Sequence, residues 1–360
     1  MLQYLVILLD DTSVAYCHAD NPLKERNLMS IETLKKGILF GMKQNLMIQY
    51  VFPDYGTRDC GTRDYELPKE YAEVIESIDN VKIYPAGCKP VTGINDGGEA
   101  DVAVANVAFF VPKKEESTST ISETEMATME MATMKNLVFR LTFSEMLKQK
   151  DEIAKLFASG VRINLCITDV EQFTDGQIET YKQLLEEWNG VLLGLYKQGL
   201  SPQFNLLTDR MMLKEMHNCE AGVSNITLAP NGKFYLCPAF YYDERMKVFN
   251  QLNHHQPSSD NSVGDLERGL DIPNPQLLRL DHAPLCRNCD AYQCRRCLWL
   301  NRKLTWDINT PSHQQCVMAH IERNASRDLL NDIRKVGEFM PQIDIKEINY
   351  LDPFEVRKEF

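Results

Sequence analysis

Along residues 1–210, short apolar runs alternate with amphipathic stretches. The runs Gln3–Leu9, Leu46–Phe52, Val81–Tyr84, Asp101–Asn106, Leu137–Phe143, Arg162–Thr168 and Gln203–Leu207 are mostly apolar or β-branched, the form of parallel strands covered on both faces. Between them lie helical patterns. Ser30–Lys43 offers Ser30 as an N-cap and sets Ile31, Leu34, Ile38 and Leu39 on one face. Pro68–Ile78 carries proline in its first turn, and Ser144–Ala158 and Gly176–Gln198 follow the same logic. Repeated β-then-α units predict an α/β fold, its right-handed crossovers building a parallel sheet that is open or curled into a partial barrel.

Two stretches interrupt the pattern. Gly-Thr-Arg-Asp occurs twice, at Gly56–Asp59 and Gly61–Asp64, flanking Cys60. Residues 112–135 are polar and repetitive, with Glu-Met-Ala-Thr-Met duplicated over Glu125–Met134. Both read as surface loops lengthened by local duplication. Gly97-Gly98-Glu99 reads as a turn. From about Met211 helical periodicity gives way to short segments, turn residues and cysteine. Asn250–Ser262 reads as a loop, helix returns over Val317–Val336, and an acidic-aromatic tail follows.

Composition narrows the function classes. The chain has 360 residues and a net charge of −12, which argues against a phosphate-binding surface and so against a nucleic-acid partner. A local basic patch at Arg287, Arg295, Arg296 and Arg302 is compatible with that balance. The apolar run Tyr4–Leu9 is too short to span a bilayer and has no basic flank before it. A cytoplasmic protein with no membrane partner is expected. Eleven cysteines, an odd number without an export signal, point to metal ligands or thiols rather than a disulfide framework.

Seven of those cysteines carry the chemistry. Cys219 and Cys237 form C-x12-G-x4-C, Cys286, Cys289, Cys294 and Cys297 form C-x2-C-x4-C-x2-C, and Cys316 follows. Each C-x2-C pair allows a tight turn to bring two thiolates to one centre. Zinc knuckles normally have a dozen or more residues between pairs, whereas Asp290–Gln293 gives four. Seven thiolates suit two [4Fe-4S] clusters, one with four protein ligands and one with three, with zinc as the alternative. Within this segment, Ile226–Cys237 alternates apolar residues around Asn231-Gly232, the signal of a two-residue hairpin that fixes Cys237 in place. Cys166 reads as a core residue of an apolar strand; Cys60 and Cys88 read as loop thiols.

The pattern resembles the seven-cysteine SPASM domain, which follows the radical S-adenosylmethionine (SAM) barrel in peptide-modifying enzymes and reads C-x(9–15)-G-x4-C, C-x2-C-x5-C-x3-C, C. Two inner spacings here are one residue shorter. The resemblance implies that Cys286, Cys289, Cys294 and Cys316 bind one auxiliary [4Fe-4S] cluster and that Cys219, Cys237 and Cys297 bind the other. His217 is a candidate for its fourth position, though an exposed helix-end histidine is the plainer reading. Radical SAM enzymes also carry C-x3-C-x2-C after the first strand. Here that loop, Asp10–Asp20, holds only Cys17, with Ser13 and Asp20 at the flanking positions. A SAM-cleaving cluster of the chain's own is therefore not expected.

Together with YLVILLDDTSVAYCHADN, IETLKKGILFGMKQNLMIQYVFPDY and ELPKEY, these features resemble the CXXX repeat peptide maturases. The implied organisation is a degenerate radical-SAM-like (β/α) barrel over 1–210, a small cysteine-rich SPASM-like domain over 211–325 and a tail over 326–360. The implied function is maturation of a ribosomally made cysteine-repeat precursor peptide, as a partner of a complete radical SAM enzyme. Two other readings stand beside it: a zinc-stabilised interaction module without a redox role, and an independent enzyme built on Cys17, His18 and the Asp10-Asp11 pair.

Overall fold

The computed structural model describes residues 2–54, 67–86, 101–106, 134–216, 219–251, 261–337 and 345. Both Gly-Thr-Arg-Asp copies, Cys60, Cys88, Gly97–Glu99, residues 112–133 of the repetitive segment, His217 and nearly all of 338–360 lie outside the described residues, as does most of the loop assigned to Asn250–Ser262. In chain order the elements are β1 Tyr4–Leu8, α1 Ile31–Lys43, β2 Met47–Val51, α2 Lys69–Ile75, β3 Asn80–Pro85, β4 Val102–Ala105, β5 Asn136–Leu141, α3 Phe143–Lys148, α4 Lys150–Leu156 and β6 Arg162–Ile167. There follow α5 Asp175–Lys197, β7 Gln203–Phe204, α6 Thr208–Met212, β8 Asn225–Leu228, β9 Phe234–Tyr235, α7 Pro238–Gln251, the pair β10 Gly264–Asp265 and β11 Gly269–Leu270, α8 Leu298–Thr305 and α9 His313–Val336.

These elements form two units, each drawn from two stretches of chain. The first is Met1–Thr168 with Glu220–Arg279, and the second is Asp169–Cys219 with Leu280–Phe360. In the first unit the strand order is β6-β5-β4-β3-β2-β1-β8-β9. Every neighbouring pair is parallel except β8 with β9. The alternating pattern thus yields the expected α/β architecture, a sequential parallel sheet with β8 added beside β1. Its core gathers Leu5, Ile7, Ile48, Tyr50, Ile226 and Leu228 from the strands with Leu34 and Ile38 from α1.

Local chemistry sets the boundaries. Ser30 Oγ accepts the Thr33 N–H and opens α1; the buried face runs through Leu34, Gly37, Ile38 and Gly41, while Leu39 is 50% exposed. Leu39 therefore does not belong to the core face. The stretch Ser144–Ala158 is two helices, α3 and α4, broken at Gln149, and it starts earlier because Thr142 and Glu145 form a capping box. The apolar run after Gln203 leaves the extended state at Phe204, whose N–H and C=O both bond Thr208 Oγ1, and continues as α6. The β8–β9 hairpin exists, but its loop has three residues. Ala229 N–H bonds Lys233 O at 3.0 Å and Gly232 N–H bonds Ala229 O at 2.9 Å. Gly232 alone takes positive φ, at 77°, so the loop is a turn closed by a left-handed glycine, not the two-residue form that needs both residues left-handed.

In the second unit the helices α5 and α9 pack together. Thr174 and Gln177 form the capping box of α5, and Ser312 Oγ caps α9. Tyr181 of α5 donates to Glu322 Oε1 of α9 at 2.8 Å, and Ser326 Oγ donates to Leu207 O at 2.7 Å. Among the described residues, no helix is long and apolar enough to cross a membrane.

Candidate functional site

Six of the seven cysteines lie in the second unit. Between Leu280 and Cys294 the chain is a series of tight turns: Ala283 O accepts Cys286 N–H at 3.0 Å, Cys286 O accepts Cys289 N–H at 3.0 Å, and Ala291 O accepts Cys294 N–H at 2.9 Å. Such turns are what a C-x2-C spacing permits. Met216, Ala283 and Cys286 form a small core against which Cys289, Tyr292 and Cys294 pack. Cys316 stands in the first turn of α9, and Cys297 is the N-cap of α8, its sulfur accepting Leu300 N–H at 3.4 Å. Cys219 is exposed, with its sulfur 4.0 Å from Arg296 O.

Cys286, Cys289, Cys294 and Cys316 are close enough to act on one another's ionisation. Burial pushes the Cys294 thiol far above its usual range, and the sulfurs of Cys289, Cys316 and Cys286 add to the shift. Burial likewise raises Cys286, to about 11, and raises Cys289. Cations oppose this. Arg296 acts on Cys286, while Arg323 and Arg210 act on Cys289, which also accepts the Ala291 N–H at 3.5 Å. Arg296 is 2% exposed and does not contribute to a surface patch; burial lowers its pKa while Cys286, Cys219 and Cys294 raise it. Arg210 sits over the Tyr292 ring at 4.0 Å and donates to Asp290 O.

No three His, Cys, Asp or Glu side chains among the described residues are arranged to hold a metal ion. By donor chemistry the four thiols do fit a soft, thiolate-bound group. Cys289, Cys316 and Cys286 all act on Cys294, and cations beside Cys286 and Cys289 offset part of the charge that four thiolates would bring. His320 Nε2 lies 3.4 Å from Cys289 Sγ. Arg210 was invisible to the spacing argument because it lies far upstream of the C-x2-C pairs, whereas His320 and Arg323 stand four and seven positions after Cys316 on α9 and were passed over by an argument that counted cysteines alone.

In the first unit, the C-terminal ends of β1, β2, β4 and β5 enclose a cavity of 310 Å³ lined by Thr12–Ala15, Asp20–Lys24, Asp54, Asn106 and Arg140, among others. This edge of an α/β sheet is where ligands gather. The loop after β1 is fixed by its own polar groups. Asp10 Oδ1 accepts from Thr12 N–H at 2.9 Å and Thr12 Oγ1 at 2.7 Å, and Ser13 Oγ donates to Val51 O at 3.0 Å. Asp11 accepts the Tyr241 hydroxyl and, at 3.1 Å, Asn27 Nδ2. Asp20 pairs with Arg140 at 2.7 Å, and Arg140 also donates to Cys17 O and Ala19 O.

Asp10, Asp11, Ser13 and Asp20 are thus committed to holding the loop. His18 Nδ1 lies 3.1 Å from Ile167 O and 3.6 Å from Cys166 Sγ. Cys166 is half-buried on the open side of β6, where burial alternates along the strand, and is not the core residue its apolar neighbours suggested. Cys237 belongs to this unit, between β9 and α7, and it and Cys17 both raise the Tyr242 hydroxyl pKa, after burial, which dominates.

No protein-family model matches the sequence, and no curated protein does. Solved structures do match. The chain is similar to hexahistidine-tagged anSMEcpe with bound AdoMet, at TM-score 0.54 and 10% identity, over 93% of this chain and 100% of that one. It is similar to native anSMEcpe with bound AdoMet and Cp18Cys peptide, at TM-score 0.55 and 9% identity with the same coverage. A third structure, with Kp18Cys peptide, matches at TM-score 0.50 and 10% identity over 92% and 99% of the two chains. Nearly the full length of both chains is matched at an identity that speaks to architecture alone, so the chain has a radical-SAM-like α/β fold.

Proposed function

We propose that the chain serves in the maturation of a ribosomally made cysteine-repeat peptide, as a SPASM-type partner of a complete radical SAM enzyme. One observation carries the reading: four thiols, of Cys286, Cys289, Cys294 and Cys316, converge electrostatically, while the loop after β1 holds a single cysteine, Cys17, and is locked by its own aspartates and Arg140. In this reading the four thiols hold an auxiliary [4Fe-4S] cluster, which supplies electron transfer or a binding point for peptide sulfur. Cys219, Cys237 and Cys297 are assigned to a second cluster on the SPASM resemblance alone. Residues 211–325 are the segment devoted to clusters, and the strand-end region of 1–210 the segment that receives the peptide. The peptides in two of the similar structures support a peptide partner.

Around the four thiols, the protein's own residues do three things. Met216 and Ala283 exclude water from Cys286. Arg323 and Arg210 hold positive charge beside Cys289. The Ala291 N–H is aimed at its sulfur. Anaerobic purification with iron and sulfide quantitation tests the reading. About eight irons per chain are expected if both sites hold four-iron clusters, with no 5′-deoxyadenosine formed from SAM and dithionite. A colourless protein with stoichiometric zinc would overturn it.

A further inference from the structure

Cys166, which the proposed function does not use, meets three features of its surroundings. On β6 it is the register partner of Arg140 on β5, so the two side chains leave the same sheet face from parallel strands about 4.8 Å apart. The loop after β1 crosses this point, held by Arg140 through Cys17 O, Ala19 O and Asp20 Oδ1. That crossing brings His18 Nδ1 to 3.6 Å from Cys166 Sγ and 3.1 Å from Ile167 O. A carbonyl oxygen only accepts, so the Nδ1 that bonds Ile167 O carries the proton, and the sulfur lies within the longer reach of that same N–H. A donor beside the sulfur favours thiolate over thiol. Both Cys166 and His18 keep part of their surface accessible.

We propose that Cys166 is a nucleophilic thiol that undergoes thiol–disulfide exchange with small or peptide disulfides, with His18 and Arg140 as its positioning residues. In the step, the Cys166 thiol gives its proton to water and the thiolate attacks one sulfur of the disulfide. The new Cys166–sulfur bond forms as the old sulfur–sulfur bond breaks. The electron pair leaves on the departing thiolate, which water protonates, so no net oxidation occurs and no further reagent is needed. The charged and titratable groups beside the thiol include His18 from the loop and Arg140, its register partner on β5, which pairs with Asp20.

The test exposes the full chain, purified anaerobically, to glutathione disulfide and follows mixed-disulfide formation at each cysteine by peptide mass spectrometry as a function of pH. Cys166 is expected to react before Cys17, with a pH midpoint below that of a free thiol, about 8.5. His18→Ala should move the midpoint upward. If it moves by about one unit, the thiolate fraction at pH 7 falls about eightfold and intrinsic nucleophilicity rises about threefold, a net slowing of about threefold. His18→Asn, which keeps an N–H donor, should recover part of the rate. Reaction of Cys166 no faster than Cys17, or a midpoint in the unsubstituted chain at or above the free-thiol value, would overturn the proposal even if both variants failed to fold.

Discussion

Arg323 of α9 reaches Asp290, which lies between the two C-x2-C pairs, at 2.5 Å, and both side chains are nearly buried. The turns that carry the cysteines are thereby anchored to the longest helix of their unit. Removing one member of a buried ion pair leaves the other without compensation and costs about 3–5 kcal/mol. Arg323→Ala should therefore lower the urea midpoint of the metal-free protein by a corresponding amount. Unchanged unfolding would show that the pair adds nothing.

Tyr181 gives a pH signature. Burial, followed by the charge and hydrogen bond of Glu322, raises its pKa well above the usual value. A phenol whose folded pKa is raised contributes full stability below its unfolded pKa of about 10 and loses it as pH climbs above that value. Tyr50, Tyr196 and Tyr242 shift in the same direction by burial. Stability measured by denaturant should fall above about pH 10. Tyr181→Phe should make that fall shallower, at a neutral-pH cost of about 1–3 kcal/mol for leaving Glu322 short of a donor.

Gly232 isolates a backbone effect. A Cβ there meets nothing closer than Thr33 Cγ2 at 3.9 Å, so only the left-handed φ opposes a side chain. Gly232→Ala should cost about 1–2 kcal/mol, and Gly232→Asn less, because asparagine tolerates that region. Thermal melts of the two variants decide the matter; equal losses would mean that something other than φ is responsible.

The proposed cluster ligands separate by substitution. Cys294→Ala should lower the iron content from about eight to about four per chain, and Cys17→Ala should leave it unchanged. Loss of iron in the Cys17 variant would mean that the loop after β1 takes part in metal binding.

The sequence disclosed what depends on neighbours along the chain. Six of the seven proposed strands match to within about two residues of their ends, within the usual uncertainty of element boundaries. Ser30 capped the helix that it was chosen to cap. Thr142 and Thr174 were equally readable as caps through Glu145 and Gln177 three positions on, and the strand and helix assignments passed over them. Cys166 misled because its immediate neighbours Leu165 and Ile167 are apolar, although Arg162 and Asn164 already mark the alternation that leaves the cysteine on the open side. Its meeting with His18, 148 positions away, follows from the path of the loop over the strand ends, and no local pattern encodes it.

The pairing of β1 with β8 has a consequence for how the chain comes into being. One edge of β1, the apolar Tyr-Leu-Val-Ile-Leu, is completed by Asn225–Leu228, about 220 residues later. At translation rates of roughly 5–20 residues per second the edge waits about 10–45 s for its neighbour. During that interval the nascent chain displays an unpaired hydrophobic strand, the kind of edge that recruits foreign strands. Conditions that slow synthesis between residues 9 and 225 should therefore reduce the yield of correctly folded protein more than equal delays after residue 235.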